Sequence, residues 1–399
     1  MINIFARTRK GPDTGLATAF TTALRRAGLL AACTVLAACN VDLGGGGATV
    51  DQSRAVQIAL LVPYGSETPG DATLAASLEN AARLAATDLG GGVEISVYPT
   101  AGAPETAALA AAQAVDDGAD VILGPLRSDA AAAAAVQTRG SGVNVLAFSN
   151  NSQIAGGNLF VLGNTFDTIS DRVVSFAVAQ GRSRVAVVYP ETTVGRIAYN
   201  AIARAAARSG ASLVGESSFE FSQQGIIEAI PAMAQTVKSS GANALMLTSD
   251  STGALPILAQ LLPENGVDPE LIQYLGLSRW DVPAETMSYP GLQGGWFALP
   301  DPDLVAQFNG RYQATFGEPP VALAGLAYDG VAAVGALAAE GLAPTAGNLM
   351  QGSGFAGVNG VFRFNADGTN ERALAVVQIA NSQVEIIDPA PKFFSTGGS

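Results

Sequence analysis

The sequence contains no histidine, and its two cysteines, Cys33 and Cys39, lie in one apolar segment near the amino terminus. The lack of histidine excludes Ser-His-Asp and Cys-His catalysis and every histidine-ligated metal site. The chain beyond Cys39 has no thiol, which excludes disulfides and thiolate chemistry there. Only carboxylates, hydroxyls and arginines are left for chemistry. We therefore expect a protein that is not an enzyme and has no cofactor or metal.

Lysine is nearly absent as well, since Lys10, Lys238 and Lys392 are the full set. The chain has neither a Ser-x-x-Lys nor a Gly-Lys-Ser/Thr sequence, which excludes penicillin-recognising serine enzymes and P-loop nucleotide hydrolases. Charged residues make up 14% of the sequence and hydrophobic residues 48%, a balance that supports large apolar cores. The formal net charge is -13, and an acidic surface repels phosphate backbones, so we expect no nucleic-acid partner.

The amino-terminal region has the pattern of a secretory signal, because Arg25 and Arg26 precede about a dozen apolar residues. That stretch is shorter than the roughly 20 apolar residues that span a bilayer. It ends in Leu36-Ala37-Ala38-Cys39, which resembles the lipobox of bacterial lipoproteins, where the cysteine is acylated and becomes the first mature residue. We predict a signal peptide at 1–38, lipidation at Cys39 and a glycine-rich tether at 39–54. Cys33, in Leu30-Ala31-Ala32-Cys33, is the alternative site.

The rest of the chain alternates short β-rich runs with helical patterns. Residues 55–62 form a nearly continuous apolar run, which is typical of a strand buried on both faces. Strand and helix patterns alternate from there to residue 148, and the alternation starts again at residue 167 and continues to 276. Two such units predict an α/β protein with two Rossmann-like parallel-sheet lobes. Near the end, residues 361–364 and 374–380 flank a turn at 365–368, which predicts a hairpin.

Two sequence stretches resemble the leucine-binding domain of type I periplasmic binding proteins. One is 120–128, Asp-Val-Ile-Leu-Gly-Pro-Leu-Arg-Ser, and the other is 142–150, Gly-Val-Asn-Val-Leu-Ala-Phe-Ser-Asn. The stretches 185–195 and 327–330 are similar to later parts of that fold, so the resemblance extends over 55–388. It implies three crossovers between the lobes, near Gly163, Leu299 and Phe364. The implied division is lobe 1 at 55–163 plus 300–361, lobe 2 at 164–299 plus 362–388, and a tail at 389–399.

Polar and aromatic side chains follow several predicted strands, where open α/β sheets bind ligands. The same residue types also cap helices and form turns, so a structural role stays open for each. In solute receptors of the resembled family, hydroxyls and amides there hold the carboxylate of the ligand, an acid holds its ammonium group, and an aromatic ring supports its side chain. We predict these cleft-rim residues: Tyr64, Ser66, Ser128, Ser149 and Asn150 on the first lobe, and Glu191, Thr193, Asp250, Arg279 and Trp280 on the second.

Two sequence stretches argue against ligand sites of familiar types. Val194-Gly195 stands where solute receptors of the resembled family commonly show Tyr-Gly, which disfavours a typical amino-acid pocket. The stretch 352–357 matches the dinucleotide pattern G-x-G-x-x-G, but it follows a predicted helix and precedes the predicted hairpin. A phosphate site needs this pattern between a strand and a helix, so we expect a glycine-rich loop instead.

A narrower similarity is to lipoproteins known as penicillin-binding-protein activators, through residues 159–164, 180–184, 360–365 and 388–394. It implies a lipid-anchored periplasmic regulator that docks onto a peptidoglycan synthase. The alternative is the substrate-binding protein of an ABC transporter, which delivers an amino acid or small polar solute to a permease. Asn40 follows the predicted lipidated cysteine, and the lack of aspartate there favours the outer membrane over the inner membrane.

We expect Cys39→Ser to move the protein from the membrane fraction to the soluble fraction with its fold unchanged, because the acyl anchor is lost. Fractionation followed by a salt wash measures this. Cys33→Ser is the matched control, and release by that variant instead would favour the earlier cysteine. Persistent membrane attachment of Cys39→Ser would contradict the lipoprotein prediction.

Overall fold

The computed structural model describes residues 54–394, all of which belong to one compact unit. The predicted signal peptide, the lipidation site Cys39 and nearly all of the predicted tether lie outside the described residues. Within residues 54–394, no helix is long and apolar enough to cross a membrane.

The first lobe is built on a parallel sheet with the strand order β2-β1-β3-β4-β5. The residues of β1 alternate between two apolar cores, because both faces of the strand are covered by helices. Ile58 and Leu60 pack with α1 on one face, while Ala59 and Leu61 pack with α2 and α3 on the other. The elements are β1 (Val56–Val62), α1 (Asp71–Asp88), β2 (Val93–Pro99), α2 (Pro104–Asp116), β3 (Val121–Leu123), α3 (Ser128–Thr138), β4 (Asn144–Ala147) and β5 (Leu159–Val161).

The second lobe has a seven-stranded sheet with the order β15-β14-β10-β9-β8-β6-β7. Strands β6 to β10 are parallel, and β14 and β15 are added antiparallel at the β10 edge. Four helices cover its two faces. The elements are α4 (Phe166–Ala179), β6 (Arg184–Pro190), α5 (Thr193–Ser209), β7 (Ser212–Phe219), α6 (Gln223–Ser239), β8 (Ala244–Leu247), α7 (Leu255–Glu264), β9 (Gln273–Gly276), β10 (Trp296–Leu299), β14 (Ala375–Ala380) and β15 (Gln383–Asp388). The predicted α/β class with two parallel-sheet lobes is confirmed.

After β10 the chain returns to the first lobe. Phe308, Tyr312 and Val334 of the returning helices pack in the core that β1 and α1 share. A small antiparallel sheet, with the order β11-β12-β13, follows these helices. The elements of this return segment are α8 (Pro302–Phe316), α9 (Ala324–Ala339), α10 (Ala346–Leu349), β11 (Phe355–Gly357), β12 (Gly360–Phe364) and β13 (Asn370–Arg372).

The predicted pairing of 361–364 with 374–380 is wrong. Strand β12 pairs with β11 and with the short β13, whereas β14 pairs with β10 and β15 in the second lobe. The turn at Asn365 and Gly368 returns the chain only as far as β13, because Gly368 donates its backbone N–H to Asn365 and accepts one from Val161 at the edge of the first sheet. Phe362 and Phe364, which the predicted boundary placed in lobe 2, pack in the core of the first lobe.

A buried ion pair holds the third sheet to α9. Asp329 is 0% exposed, and its Oδ2 lies 2.8 Å from Nη1 of Arg372, whose side chain is 1% exposed. Oδ1 of Asp329 accepts a bond of 2.8 Å from the backbone N–H of Val358. Nε of Arg372 donates to the carbonyl of Leu162, in the segment that leaves the first sheet. The pair therefore joins α9, the β11–β12 turn and the first passage between the lobes.

Gly357 faces this ion pair, which explains one glycine of the G-x-G-x-x-G stretch. A Cβ at this position would lie 2.1 Å from Oδ1 of Asp329, so any side chain would displace the carboxylate. Residues 352–354 of the stretch form a loop, residues 355–357 are β11, and no helix follows directly.

We expect Asp329→Ala to lower the free energy of unfolding by about 3–5 kcal/mol, because it leaves the buried charge of Arg372 without its partner. Urea denaturation of the full chain measures this. The control is Arg83→Ala, which removes a partly exposed ion pair with Glu79 on the surface of α1 and should cost under about 1 kcal/mol. A loss for Asp329→Ala no larger than that of the control would show that the pair is not a structural anchor.

Candidate functional site

A cavity of about 920 Å³ lies between the two lobes. The loops after β3 and β4 form its first-lobe side, and the loop after β9 together with the end of β10 forms its second-lobe side. These three loops and the end of β10 meet because the carboxyl ends of parallel strands point to the same edge of each sheet. Helix α8 and the connection from α8 to α9 complete the wall.

Four of the predicted rim residues line this cavity: Ser128, Ser149, Asn150 and Arg279. Ser149 is 4% exposed, and its Oγ accepts a bond of 3.1 Å from the backbone N–H of Asn151. A hydroxyl that accepts one bond keeps its own hydrogen for donation. Ser149 therefore has a donor left for a ligand.

Gly163 holds the strand end that carries Ser149. It lies in the first passage between the lobes, two residues after the end of β5. The backbone N–H of Gly163 donates to the carbonyl of Ser149 at 3.1 Å. A Cβ on Gly163 would lie 2.5 Å from that carbonyl oxygen, so only glycine allows this close approach.

Five other predicted rim residues are not among the described residues that line the cavity, and each has a local partner or cap position. The Tyr64 hydroxyl donates to Glu79 at 2.8 Å, and burial followed by this bond raises the pKa of Tyr64 to about 12. The remaining contacts are as follows: Ser66 accepts from Thr68, Glu191 accepts from Ser218, Asp250 accepts from Thr252, and Thr193 begins α5 directly after its cap, Thr192.

The prediction that Trp280 offers an aromatic platform to a ligand is wrong for this arrangement. Its side chain is 0% exposed and packs in the second-lobe core, with its ring centroid 5.9 Å from that of Phe297. The indole also lies against the backbone of Gly276, where a Cβ would be 2.5 Å from the ring. Gly276, at the end of β9, and Gly295, directly before β10, thus leave room for the ring in the core.

Several residues that line the cavity were not predicted from the sequence. Asn164 lies just after Gly163, and its Oδ1 is buried with no hydrogen-bond partner among the described residues. Most of the missed residues are apolar, and many come from the return segment, whose position no local pattern reveals. They include Phe148, Ile169, Val305, Phe308, Val321, Leu323 and Leu326.

Arg127, in the stretch before the predicted rim residue Ser128, also borders the cavity as the cap residue of α3. Its Nη1 lies 2.8 Å from Oδ2 of Asp71, and Nη2 donates to Oδ1 at 3.2 Å. Burial by itself raises the pKa of Asp71, but hydrogen bonds from Ser66 and Arg127 and the charge of Arg127 outweigh it, so this pKa is lowered. On the second lobe, Arg279 is paired similarly, since its Nε donates to Oδ1 of Asp281 at 2.9 Å.

Two parallel-sheet lobes that are joined by three connections, with a cavity at the carboxyl ends of both sheets, match the architecture of type I binding proteins. A family profile described as periplasmic binding protein matches residues 55–383. The chain belongs to the periplasmic binding protein family.

Solved structures at low identity share this fold. A branched-chain amino acid ABC transporter ligand-binding protein from Burkholderia xenovorans is 18% identical with a TM-score of 0.68, covering 84% of this chain and 96% of that chain. A substrate-binding protein from Desulfitobacterium hafniense, in complex with Leu, is 18% identical with a TM-score of 0.63, covering 84% and 100%. A solute-binding protein from Rhodopseudomonas palustris, in complex with 3,4-dihydroxybenzoic acid, is 19% identical with a TM-score of 0.58, covering 85% and 98%. No curated protein matches the chain.

We expect Asp71→Asn to lower the melting temperature at neutral pH, because it removes the partner of Arg127 at the cavity edge. The lowered pKa of Asp71 means that its stabilisation is present above the unfolded value of about 3.9 and is lost as the pH falls through the folded value. The difference from wild type should therefore shrink below about pH 4.

Circular dichroism melting curves between neutral pH and pH 3 measure this difference. The control is Asp116→Asn at the end of α2, since Asp116 is exposed and has no ion-pair partner in residues 54–394. A difference between Asp71→Asn and wild type that stays constant down to the lowest pH would contradict a role for the ionised carboxylate.

Proposed function

We propose that this protein is the substrate-binding component of an ABC transporter, which holds a small organic solute between its lobes and presents it to a permease. The observation that carries the proposal is the interlobe cavity of about 920 Å³, to which both lobes contribute. Its volume falls within the roughly 300–1,000 Å³ usual for small-molecule sites. The named relatives from Burkholderia xenovorans and Desulfitobacterium hafniense are described as ABC transporter proteins, which supports the same function.

The lining of the cavity also suits a small solute. Apolar side chains, among them Ile169, Val305, Val321 and Leu323, form a large part of the wall. Neutral polar groups such as Ser149 and Asn164 and the charged side chains of Arg127, Asp129 and Arg279 form the rest. Binding sites for small molecules combine an apolar wall with a small number of placed polar groups in this way.

The arrangement couples binding to the relative position of the lobes. Segments 162–165, 300–301 and 373–374 connect the first lobe and its return segment to the second sheet. A solute that contacts Ser149 on one side and Arg279 on the other binds best when the lobes approach each other. Because the solute binds the protein more tightly when the lobes are close together, it shifts the population toward that closed arrangement. A permease can then distinguish the loaded protein from the empty one.

The activator role expected from the narrower similarity has less support. Two of the stretches that resemble activators are structural, since residues 159–164 contain β5 and the first passage, and residues 360–365 contain β12. Their side chains serve the core and the junction of the fold. Docking onto a peptidoglycan synthase, lipidation at Cys39 and outer-membrane sorting stay predictions.

The test is equilibrium dialysis of the full chain against a panel of amino acids, organic acids and uncharged polar solutes, read by mass spectrometry. We expect one solute class to be retained stoichiometrically by wild type. A double variant, Asn150→Trp with Leu323→Trp, fills the mouth of the cavity at two exposed lining positions and should abolish retention.

The matched control is Leu109→Trp, at an exposed position on α2 outside the cavity lining, and it should retain the solute as wild type does. A retained solute should also raise stability by RT ln(1 + [L]/Kd), which is about 2.7 kcal/mol at a hundredfold excess over Kd. The proposal fails if no solute of any class is retained, or if the double variant retains it unchanged.

A further inference from the structure

We propose that the carboxy-terminal tail, residues 389–394, is a clamp that opposes closure of the interlobe cavity and so lowers its affinity for a solute. The inference rests on the lobe movement of the proposed function and adds a device that regulates this movement. Two observations support it: the tail lies on the side of the passages that faces away from the cavity, and it contacts elements of both lobes.

A second space, which we call the rear groove, lies beside the passages and has a volume of about 1040 Å³. Helices α4 and α5 of the second lobe form one of its walls. On the first-lobe side, Ser152, Gln153 and the turn between β12 and β13 line it. The tail contributes Pro391, Phe393 and Phe394 to the lining. The rear groove is therefore bounded by both lobes, as the interlobe cavity is.

The passages separate the rear groove from the interlobe cavity. In the first passage, Gly163 and Asn164 line the cavity, whereas the next residue, Thr165, lines the groove. In the second passage, Pro300 lines the cavity, whereas the next residue, Asp301, binds the tail. Hinge closure turns the two lobes about such connections. A movement that brings the walls of the cavity together therefore moves the walls of the rear groove apart.

The tail begins on the second lobe. Ala390 is buried in the core of that lobe. Nη2 of Arg172, on α4, lies 2.6 Å from Oδ2 of Asp388 at the end of β15, and it donates to the carbonyl of Pro389 at 3.4 Å. Nε of Arg172 donates to the carbonyl of Leu374, in the third passage, at 2.6 Å. These contacts fix the start of the tail to the second lobe.

The last residues of the tail contact the first-lobe side. Nζ of Lys392 lies 2.7 Å from Oδ2 of Asp301, the cap residue of α8. The guanidinium carbon of Arg363, on β12, lies 4.7 Å from the centroid of the Phe394 ring, which is a cation–π contact. Both α8 and β12 pack in the core of the first lobe. The tail is thus a non-covalent link between the lobes, in addition to the three covalent passages.

The contact between Lys392 and Asp301 is formed at neutral pH but is not strong. Burial by itself raises the pKa of Asp301, but hydrogen bonds from Lys392 and from the backbone of α8 outweigh it, so this pKa is lowered and the carboxylate is ionised. The side chain of Asp301 is only 9% exposed, whereas that of Lys392 is 68% exposed. Water and salt therefore screen the pair, and closure of the lobes can release it.

One further bond joins the two walls of the rear groove. The Ser152 hydroxyl, on the first lobe, donates to Oδ2 of Asp167 on α4 at 3.0 Å. Closure of the cavity lengthens this bond together with the contacts of Lys392 and Phe394, so all of them disfavour the closed arrangement. The apparent affinity for a solute falls with the fraction of protein that can adopt that arrangement. Loss of the clamp should therefore favour closure.

The experiment measures the distance between the lobes without a solute. Spin labels are attached to the full chain at Glu67→Cys, after β1, and at Val194→Cys, near the start of α5. Both positions are exposed, one lies on each lobe, and neither lines the cavity or the rear groove. Cys33→Ser and Cys39→Ser remove the two native thiols, so that labelling is specific. Double electron–electron resonance gives the populations of longer and shorter distances.

The clamp variant is Lys392→Ala with Phe394→Ala, which removes both tail contacts with the first-lobe side. We expect the population of shorter distances to rise at least about threefold, because an ion pair and a cation–π contact at the surface together contribute that factor or more. Lys392→Arg keeps the positive charge and should behave as wild type.

The matched control is Lys238→Ala with Leu271→Ala. It removes an exposed lysine and an exposed apolar side chain of the second lobe that line neither the cavity nor the rear groove. It should leave the distances unchanged. The inference is overturned if the clamp variant leaves the populations as they are in wild type, if it shifts them toward longer distances, or if the control shifts them equally.

The two proposals fail in different ways. If the dialysis panel yields a retained solute but the clamp variant does not change the distances, the clamp is wrong and the proposed function stands. If no solute is retained but the clamp variant shortens the distance, the proposed function is wrong, whereas the tail still controls the position of the lobes.

Discussion

The ion pair between Asp329 and Arg372 is the interaction on which the junction of the two lobes depends. Two buried charges are tolerated only where each is paired and hydrogen-bonded. Here the carboxylate receives the backbone N–H of Val358 and the guanidinium of Arg372, and Arg372 in turn donates to the carbonyl of Leu162. Neighbouring Asn370 adds bonds to the carbonyls of Val161 and Gly163. The first and third passages between the lobes are thereby fixed to α9.

The same junction positions several residues of the cavity wall. Helix α9 and the connection that precedes it supply Leu323 and Leu326 to the wall, while Gly163, held by Asn370, lies against the strand end that carries Ser149. The strand end that carries Ser149 is thus held next to the buried pair, through Gly163 and Asn370. Both arginines of the cavity lining are paired with a carboxylate, Arg127 with Asp71 and Arg279 with Asp281.

Much of the fold was predictable because the relevant signals are local. Continuous apolar runs such as β1 and helical periodicity such as that of α1 identify the two sheets, and the prediction of two parallel-sheet lobes is confirmed. The pairing of β12 was predicted wrongly, because a turn motif indicates a reversal but does not tell which of two later strands will pair. Stabilisation of the short β13 comes from Asp329 and Leu162, both remote in sequence.

For the site, the sequence by itself excluded histidine-dependent catalysis and histidine-ligated metals, and it identified the loops that carry polar residues. It also determined four of the cavity residues, Ser128, Ser149, Asn150 and Arg279, because strand ends are recognisable from local patterns. Only the tertiary structure decided that Trp280 turns inward and packs against Phe297, that Glu191 bonds to Ser218, and that the return segment forms much of the wall. The physical reason is that exposure and pairing are properties of contacts between distant segments, which no local pattern contains.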